Sequence, residues 1–354
     1  MEKKKYLFDV VLIRLVLIFF LVFYHAFCPF TGAWDAFDDQ FYNIEIYKWL
    51  GLLTHNFRLE SMVFISGLLF GYTINIYPER LCIKNCVIKK LKRVILPSLI
   101  FSVLYYLIFD SDNKDIVNVI INISNGYGHL WFLPMIFWSF ILCFIIEKIT
   151  PPHSYSISNK SHVFILIICF IMLQNFPFEI NYLGLGKLHR YFFYFYLGFC
   201  MKRGYINMII IQKKIWLYVL LMIYLLSCVS YEIIISSWES PEGLFNIVLR
   251  SLLIKILHPI CVLSMLTFLY SIANRKCVID KLKSYPILLT LSGYCYGVYI
   301  YHQFILKYLY YKTSFSNHFS LELIPWIGFL IALLLSLLCC HITLRTKIGR
   351  FLIG

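Results

Sequence analysis

Charged residues are scarce in this sequence: Asp, Glu, Lys and Arg together make up only 14% of its 354 residues. Soluble domains contain about 25% of these residues, and about 45–50% of their residues are apolar. Here the hydrophobic share is 60%. The shortage of charge therefore excludes an ordinary soluble domain and indicates an integral membrane protein.

Acidic residues are the scarcer of the two charged kinds, with 18 Asp and Glu against 32 Lys and Arg, for a net charge of +14. In a soluble chain this excess would suggest nucleic-acid binding. Here the basic residues cluster in short loops between apolar runs, where they are a signal of membrane topology. We therefore expect membrane lipid around the protein and no nucleic-acid partner.

Paired CxxC elements are also missing, although the chain has 12 cysteines. Disulfide-rich or zinc-binding domains depend on such spacings. Most of the cysteines lie inside apolar runs, where a cysteine behaves as a small apolar side chain. They include Cys143, Cys169, Cys228, Cys261, Cys339 and Cys340. We predict no metal site.

What the sequence does contain is a series of ten apolar runs. They cover residues 7–28, 57–76, 94–109, 130–147, 162–176, 190–201, 214–235, 247–273, 286–311 and 324–343. A helix of about 20 apolar residues crosses the roughly 30 Å hydrocarbon core of a bilayer. The runs predict an all-α, polytopic membrane protein with about ten transmembrane helices. We interpret residues 1–354 as a single transmembrane domain with no appended soluble domain, because no outer loop is long enough to fold alone.

The distribution of lysine and arginine predicts the orientation. If the N-terminus is cytoplasmic, the inner segments hold 22 of the 32 Lys and Arg, while the outer loops hold most of the acids. Cytoplasmic loops carry an excess of positive residues. Both termini are therefore predicted to be cytoplasmic. The first apolar run ends in the bulky sequence HAFCPF without a small-residue cleavage site, so we interpret it as a retained helix.

Two polar residues interrupt the first apolar run. Arg14 and His25 are eleven residues apart, which is about 20° from a whole number of helical turns and about 16 Å along the axis. Both should point from one face of the helix. A charge within a membrane span costs about 2.5–3.5 kcal/mol on insertion scales, so it usually has a function.

Two further histidines extend this pattern. His302 lies about 22 Å from the inner end of its predicted helix and His25 about 27 Å from the inner end of its own. Their similar depth predicts a shared cavity near the outer leaflet. His129 should lie at the outer mouth of the fourth helix, and Arg58 and Glu60 at the outer start of the second.

A basic segment precedes the third helix. The sequence KNCVIKKLKRVILP (84–97) contains Lys89, Lys90 and Arg93 among five cations. Such a cluster is a favourable site for a phosphorylated cytosolic ligand. The basic segment would lie at the cytoplasmic side of the membrane, with Arg14 partway across the membrane and His25 closer to the outer side. This order would suit an extended acyl-CoA whose thioester reaches His25.

Six elements follow one another in the order typical of a known family. They are Arg14 with His25, MVFISGLLFGY (62–72), KKLKRVILP (89–97), HLWFL (129–133), FFYFYLGFCMKRG (192–204) and CYGVYIYH (295–302). In this combination the chain resembles the bacterial acyltransferase-3 integral membrane transferases, which O-acylate carbohydrates. It departs from them in two places. Lys90 replaces the first arginine of an RxxR element, which keeps the charge but loses bidentate phosphate geometry, and Cys295 stands where serine is usual.

The resemblance implies an enzyme of the cell inner membrane that uses acetyl-CoA or another short acyl-CoA as donor. The acceptor would be a hydroxyl of a surface glycan or of its lipid-linked precursor. Histidine suits removal of the hydroxyl proton because its pKa lies near the operating pH. His25 is the expected general base, with a transient acyl-imidazole as an alternative, and Arg14 would orient the donor or stabilise developing negative charge.

The other candidate residues would bind the substrates. Arg93, Lys90 and Lys89 would hold the phosphates of CoA. The acceptor side would include His302, Glu60, Arg58, His129 and Ser66. The sequence names neither the acyl group nor the acceptor, and it leaves the oligomeric state open, a homo-oligomer included.

Two other classes of protein share some of these features. An exporter of polysaccharide or lipid-linked precursors, or a proton-coupled transporter, would also contain buried Arg and His, but such carriers often show internal repeats, and we find none. A membrane scaffold for polysaccharide assembly would not need an aligned polar stripe. Loss of an acyl increment, rather than of the glycan itself, would distinguish the transferase from the exporter.

Overall fold

The protein is built from helices. The computed structural model describes residues 7–35, 44–78, 83–112, 115–150, 155–173, 182–207, 210–238 and 243–354. These ranges contain no strand, so the predicted all-α class is confirmed. The helices are α1 (Phe8–Thr31), α2 (Glu45–Ile76), α3 (Ile83–Lys90), α4 (Leu96–Phe109), α5 (Ile116–Asn125), α6 (Phe132–Ile149), α7 (Tyr155–Met172), α8 (Leu188–Arg203), α9 (Lys214–Ser237), α10 (Leu244–Ala273), α11 (Lys276–Ser284), α12 (Pro286–Tyr311), α13 (Phe315–His318), α14 (Ile324–Thr343) and α15 (Lys347–Ile353).

Seven helical stretches within the described residues are long and apolar enough to cross a membrane. They are α1, α2, residues 87–109 through α4, residues 128–149 through α6, α9, α10 and α14. The chain is therefore a polytopic membrane protein. Of the remaining three apolar runs, those at 190–201 and 286–311 lie on α8 and α12, and residues 162–172 of the other lie on α7. The count of ten spans and the cytoplasmic position of both termini stay predictions.

The second span is longer than its apolar run. The run predicts a helix at 57–76, whereas α2 begins at Glu45 and has 32 residues, or about 48 Å of helix. Polar residues in its first part, such as His55, lower the local hydropathy and hide these turns in the sequence. Arg58 and Glu60 therefore lie near the middle of α2, and their predicted position at its outer start was wrong.

The chain folds as two compact units, and α2 contributes to both. The first unit comprises residues 1–61 and 209–342 with Gly354, and the second comprises residues 62–208 and 343–353. The interpretation of residues 1–354 as one domain stays a prediction.

In the first unit α1 packs along α12 in the same direction. The Tyr310 hydroxyl near the end of α12 donates to the Ala26 carbonyl near the end of α1, with 3.0 Å between the oxygens. One and a half turns earlier on α1, Leu21 is almost fully buried. Because the two helices run parallel, residues in the later turns of α1 meet residues in the later turns of α12.

In the second unit two glycines allow α2 and α8 to touch backbone to backbone. A Cβ added at Gly67 would lie 1.9 Å from the Phe195 carbonyl oxygen, and one added at Gly198 would lie 2.1 Å from the Phe64 carbonyl oxygen. Small residues are the usual means by which membrane helices approach closely. The glycines of MVFISGLLFGY and FFYFYLGFCMKRG are therefore packing residues that meet each other.

Candidate active site

Two histidines meet where α1 packs on α12. Nδ1 of His25 lies 3.1 Å from Nε2 of His302, which is hydrogen-bond distance. His302 is fully buried and His25 is half-buried. The two histidines of similar depth are therefore in contact, and the shared cavity near the outer leaflet stays a prediction. The Trp34 ring, 5.8 Å from the His25 ring between centroids, lies beside the pair.

Backbone carbonyls determine which ring nitrogens carry hydrogen. Nδ1 of His302 lies 2.9 Å from the Val298 carbonyl oxygen, and Nδ1 of His25 lies 2.8 Å from that of Leu21. A carbonyl can only accept, so each Nδ1 is the protonated nitrogen of its ring. Nε2 of His302 therefore accepts from the Nδ1–H of His25, which is shared with Leu21. The basic lone pair of a neutral His25 is on Nε2.

Arg14 lies on the same side of α1 as His25. It is half-buried. The eleven-residue spacing places both residues on one face of α1, and His25 contacts α12 through His302. The first unit contains one helix face with a cation and an imidazole about 16 Å apart along the axis.

Arg58 forms a second polar group next to the histidine pair. Its side chain is only 2% exposed, and its Cζ atom lies 3.8 Å from the centroid of the Tyr24 ring. Its Nη2 lies 3.0 Å from Nδ1 of His55, which must accept because a guanidinium only donates. Tyr24 in turn lies against His25, with 5.2 Å between ring centroids. A buried guanidinium thus lies one ring away from the candidate base.

Glu60 pairs with a histidine of α10. Its Oε1 lies 3.6 Å from Nε2 of His258, and Glu60 is 7% exposed. One turn earlier on α2, Asn56 donates to Glu232 of α9 at 2.5 Å. The polar residues of α2 therefore contact three other helices of the first unit instead of water. Such a network is stable in an apolar interior only when its members are paired.

Three members of this network, His55, His258 and Glu232, are not among the residues predicted from the sequence. His258 and Glu232 are polar residues within or beside apolar runs, which is the signal that led to Arg14 and His25. The second apolar run begins at residue 57, so the sequence places His55 before the helix and not within it. No group of three His, Cys, Asp or Glu within the described ranges is arranged to hold a metal ion.

Two other candidates belong to the second unit. Ser66 donates its hydroxyl hydrogen to the Met62 carbonyl one turn earlier, with 2.9 Å between the oxygens. His129 is 6% exposed and lies in a 3-10 turn at Gly128–Trp131, 6.4 Å from the Tyr105 ring. Just before that turn, burial and a hydrogen bond to Asp110 raise the pKa of Tyr127 to about 12. The roles of Ser66 and His129 in binding the acceptor stay predictions.

The basic segment of the second unit contains an irregular turn. A π-helical turn, Leu91–Ile95, joins α3 to α4 immediately before Pro97. Proline lacks an N–H and cannot bond to the carbonyl four residues earlier, so the backbone widens here. Lys89 and Arg93 are exposed, whereas the Lys90 ammonium lies 3.2 Å from the centroid of the Phe140 ring. Lys90 thus contacts an aromatic face within its own unit.

Comparison with known proteins gives the family. The model of the acyltransferase-3 family, described as "Acyltransferase domain", matches residues 8–345, which is nearly the whole chain. The protein belongs to this family and is a membrane acyltransferase. No curated protein and no solved structure matches the chain.

Proposed function

We propose that this acyltransferase of the cell inner membrane moves an acetyl or other short acyl group from acyl-CoA to a hydroxyl. The acceptor is a surface glycan or its lipid-linked precursor. The observation that carries the proposal is the His25–His302 pair, in which a half-buried imidazole has its Nδ1–H engaged and its Nε2 basic. The family match supports acyl transfer as the reaction.

The proposed step needs a single base. The acceptor hydroxyl oxygen attacks the thioester carbonyl carbon, while Nε2 of His25 takes the hydroxyl proton. A C–O bond forms, the C–S bond breaks, and the departing CoA sulfur receives that proton from the His25 imidazolium, which returns His25 to its neutral form. His302 and the Leu21 carbonyl both accept from Nδ1–H, so they stabilise the imidazolium that forms and hold the ring in one orientation. An aspartate has the comparable role in serine-protease triads.

Two arginines of the first unit supply positive charge to this step. Arg58 is buried against Tyr24, the residue that precedes His25. In a low-dielectric setting its charge acts over a longer range than it would in water. It would favour the negative oxygen of the tetrahedral intermediate. Arg14 would orient the donor, as its place on the same helix face suggests.

The CoA phosphates are assigned to the basic segment of the second unit. Arg93 and Lys89 are exposed on and beside the π-helical turn, which supports them as phosphate ligands, with Lys90 as a further cation. Arginine binds phosphate bidentately, which a lysine cannot do. Arg93 is therefore the strongest donor-binding candidate.

Replacing Arg93 by alanine should raise the KM for acyl-CoA about 10- to 100-fold, because a hydrogen bond to a charged group contributes about 1.5–3 kcal/mol. The kcat should change much less. Acyl transfer measured in membranes against acyl-CoA concentration checks this. The exposed Lys92→Ala on the same turn is the matched control. An unchanged KM in Arg93→Ala would mean that this arginine contributes only to the orientation of the protein in the membrane.

The function as a whole is tested by deleting the gene and comparing surface glycans by mass. We expect the glycan to remain and to lose one acyl increment per modified sugar. Supplying membranes of the complemented strain with labelled acetyl-CoA, and separately with labelled succinyl-CoA, identifies the donor by the label on the glycan. Loss of the glycan itself would contradict the proposal and favour an exporter. An intact, fully acylated glycan would also contradict it.

A further inference from the structure

Within the first unit the early turns of α2 pack against α1 in the opposite direction. A Cβ added at Gly51 would lie 2.4 Å from Cγ2 of Thr31, the last residue of α1. Farther along α2, the Phe57 ring lies 5.7 Å from the Phe20 ring between centroids. The contacts therefore advance along α2 as they go back along α1. The residues of α2 between these two contacts lie beside the part of α1 that contains His25.

Two side chains hold Arg58 at this packing contact. Its Nη2 lies 3.0 Å from Nδ1 of His55, which is three residues earlier on the same face of α2. Its Cζ atom lies 3.8 Å from the centroid of the Tyr24 ring on α1. The His55 ring also lies beside the Tyr24 ring, with 4.7 Å between their centroids and 31° between their planes. The three side chains therefore contact one another across two helices.

His55 is the hydrogen-bond acceptor of this group. A guanidinium can only donate, so Nδ1 of His55 carries no hydrogen, and the hydrogen of the neutral ring is on Nε2. A protonated His55 would lose this acceptor and would place a second positive charge 3.0 Å from the first. Neutral His55 therefore fixes the direction of the guanidinium, while the aromatic face of Tyr24 offsets part of the cost of burying its charge.

A fixed guanidinium is useful at this place in the molecule. The Tyr24 ring lies 5.2 Å from the His25 ring between centroids, so Arg58 is held at a constant position relative to the proposed base. An arginine side chain has several rotatable bonds and about 2 kcal/mol of rotamer entropy. Electrostatic stabilisation of a developing charge is effective when the donor is oriented before the reaction.

We propose that His55 is a positioning residue for acyl transfer, which holds the Arg58 guanidinium against Tyr24 and beside His25. It acts through Arg58 and not by contact with the substrates. This inference rests on the proposed function, in which Arg58 favours the negative oxygen of the tetrahedral intermediate. His55 therefore affects the rate of the chemical step and not the binding of acyl-CoA.

The first test compares His55→Leu with His55→Asn in membranes supplied with labelled acetyl-CoA and, separately, with labelled succinyl-CoA. Leucine removes the acceptor, whereas Oδ1 of asparagine can accept from Arg58 in place of Nδ1. His55→Leu should lower kcat about 10- to 100-fold, the loss expected for one hydrogen bond to a charged group. The KM for acyl-CoA should change little, and His55→Asn should recover most of the lost kcat. The exposed His341→Leu, in the same unit, is the matched control and should keep the wild-type kcat.

A double-mutant cycle separates positioning from a structural role. In Arg58→Ala protein His55 has no guanidinium to hold, so adding His55→Leu should lower kcat no further. Thermal unfolding verifies that each variant is folded. His55→Phe keeps a ring against Tyr24 without the acceptor, and it replaces His55→Leu in the cycle if the leucine variant does not fold.

The outcomes distinguish this inference from the proposed function. Equal losses of kcat in the wild-type and Arg58→Ala backgrounds would overturn the inference alone, since acyl transfer itself would still be observed. Wild-type kcat in folded His55→Leu or His55→Phe protein would overturn it as well. Wild-type protein that transfers neither label to a glycan would contradict the proposed function, and the inference with it.

Discussion

Replacing His25 by alanine should reduce the rate of acyl transfer by about 10²- to 10⁴-fold, the usual contribution of a positioned general base. The physical reason is that Nε2 is the only basic nitrogen of this ring once the Leu21 carbonyl and His302 hold the Nδ1–H. The rate is measured as transfer of labelled acyl groups in membranes containing equal amounts of wild-type or variant protein.

The exposed His318→Ala is the matched control and should retain wild-type activity. His302 tests the orientation of the ring. His302→Gln keeps an amide oxygen that can accept from His25, whereas His302→Leu does not, so the glutamine variant should be the more active of the two. Wild-type transfer by inserted, correctly expressed His25→Ala protein would exclude the general-base assignment.

Replacing Gly67 or Gly198 by leucine should destabilise the second unit severely. Even the first carbon of the new side chain would lie 1.9 Å or 2.1 Å from a backbone carbonyl oxygen of the opposite helix. Backbone cannot move aside as a flexible side chain can. Overpacking of a core typically costs about 1–3 kcal/mol and sometimes more. The measurement is thermal unfolding of the detergent-purified protein, or the yield of folded protein on size exclusion.

Gly293 provides the control for these variants. It lies on α12, and an added Cβ there would have no heavy atom within 4 Å. Alanine is favoured over glycine inside helices by about 1 kcal/mol, so Gly293→Ala should be neutral or stabilising. If Gly67→Leu and Gly198→Leu unfolded at the wild-type temperature, the close contact between α2 and α8 would not exist in the folded protein.

The histidine pair shows how far reasoning from sequence can go. The similar depth of His25 and His302 in their helices can be read from the boundaries of the apolar runs, because a straight helix rises by a constant 1.5 Å per residue. Parallel packing of α1 on α12 then brings residues of similar depth together. Arg58 shows the limit. Its helix begins twelve residues before its apolar run, so a position near the middle of α2 looked like a position at its start.

The sequence alone determined that this is an all-helical membrane protein, because hydrocarbon requires long apolar segments with internally bonded backbones. It also determined that Arg14 and His25 share a helix face, since they lie on one helix at a spacing of eleven residues. Only the tertiary structure decided that Arg58 lies on Tyr24, that Glu60 pairs with His258, and that Gly67 and Gly198 face each other's helices. These pairings depend on the rotation and register of separate helices, which hydropathy along a single chain does not encode.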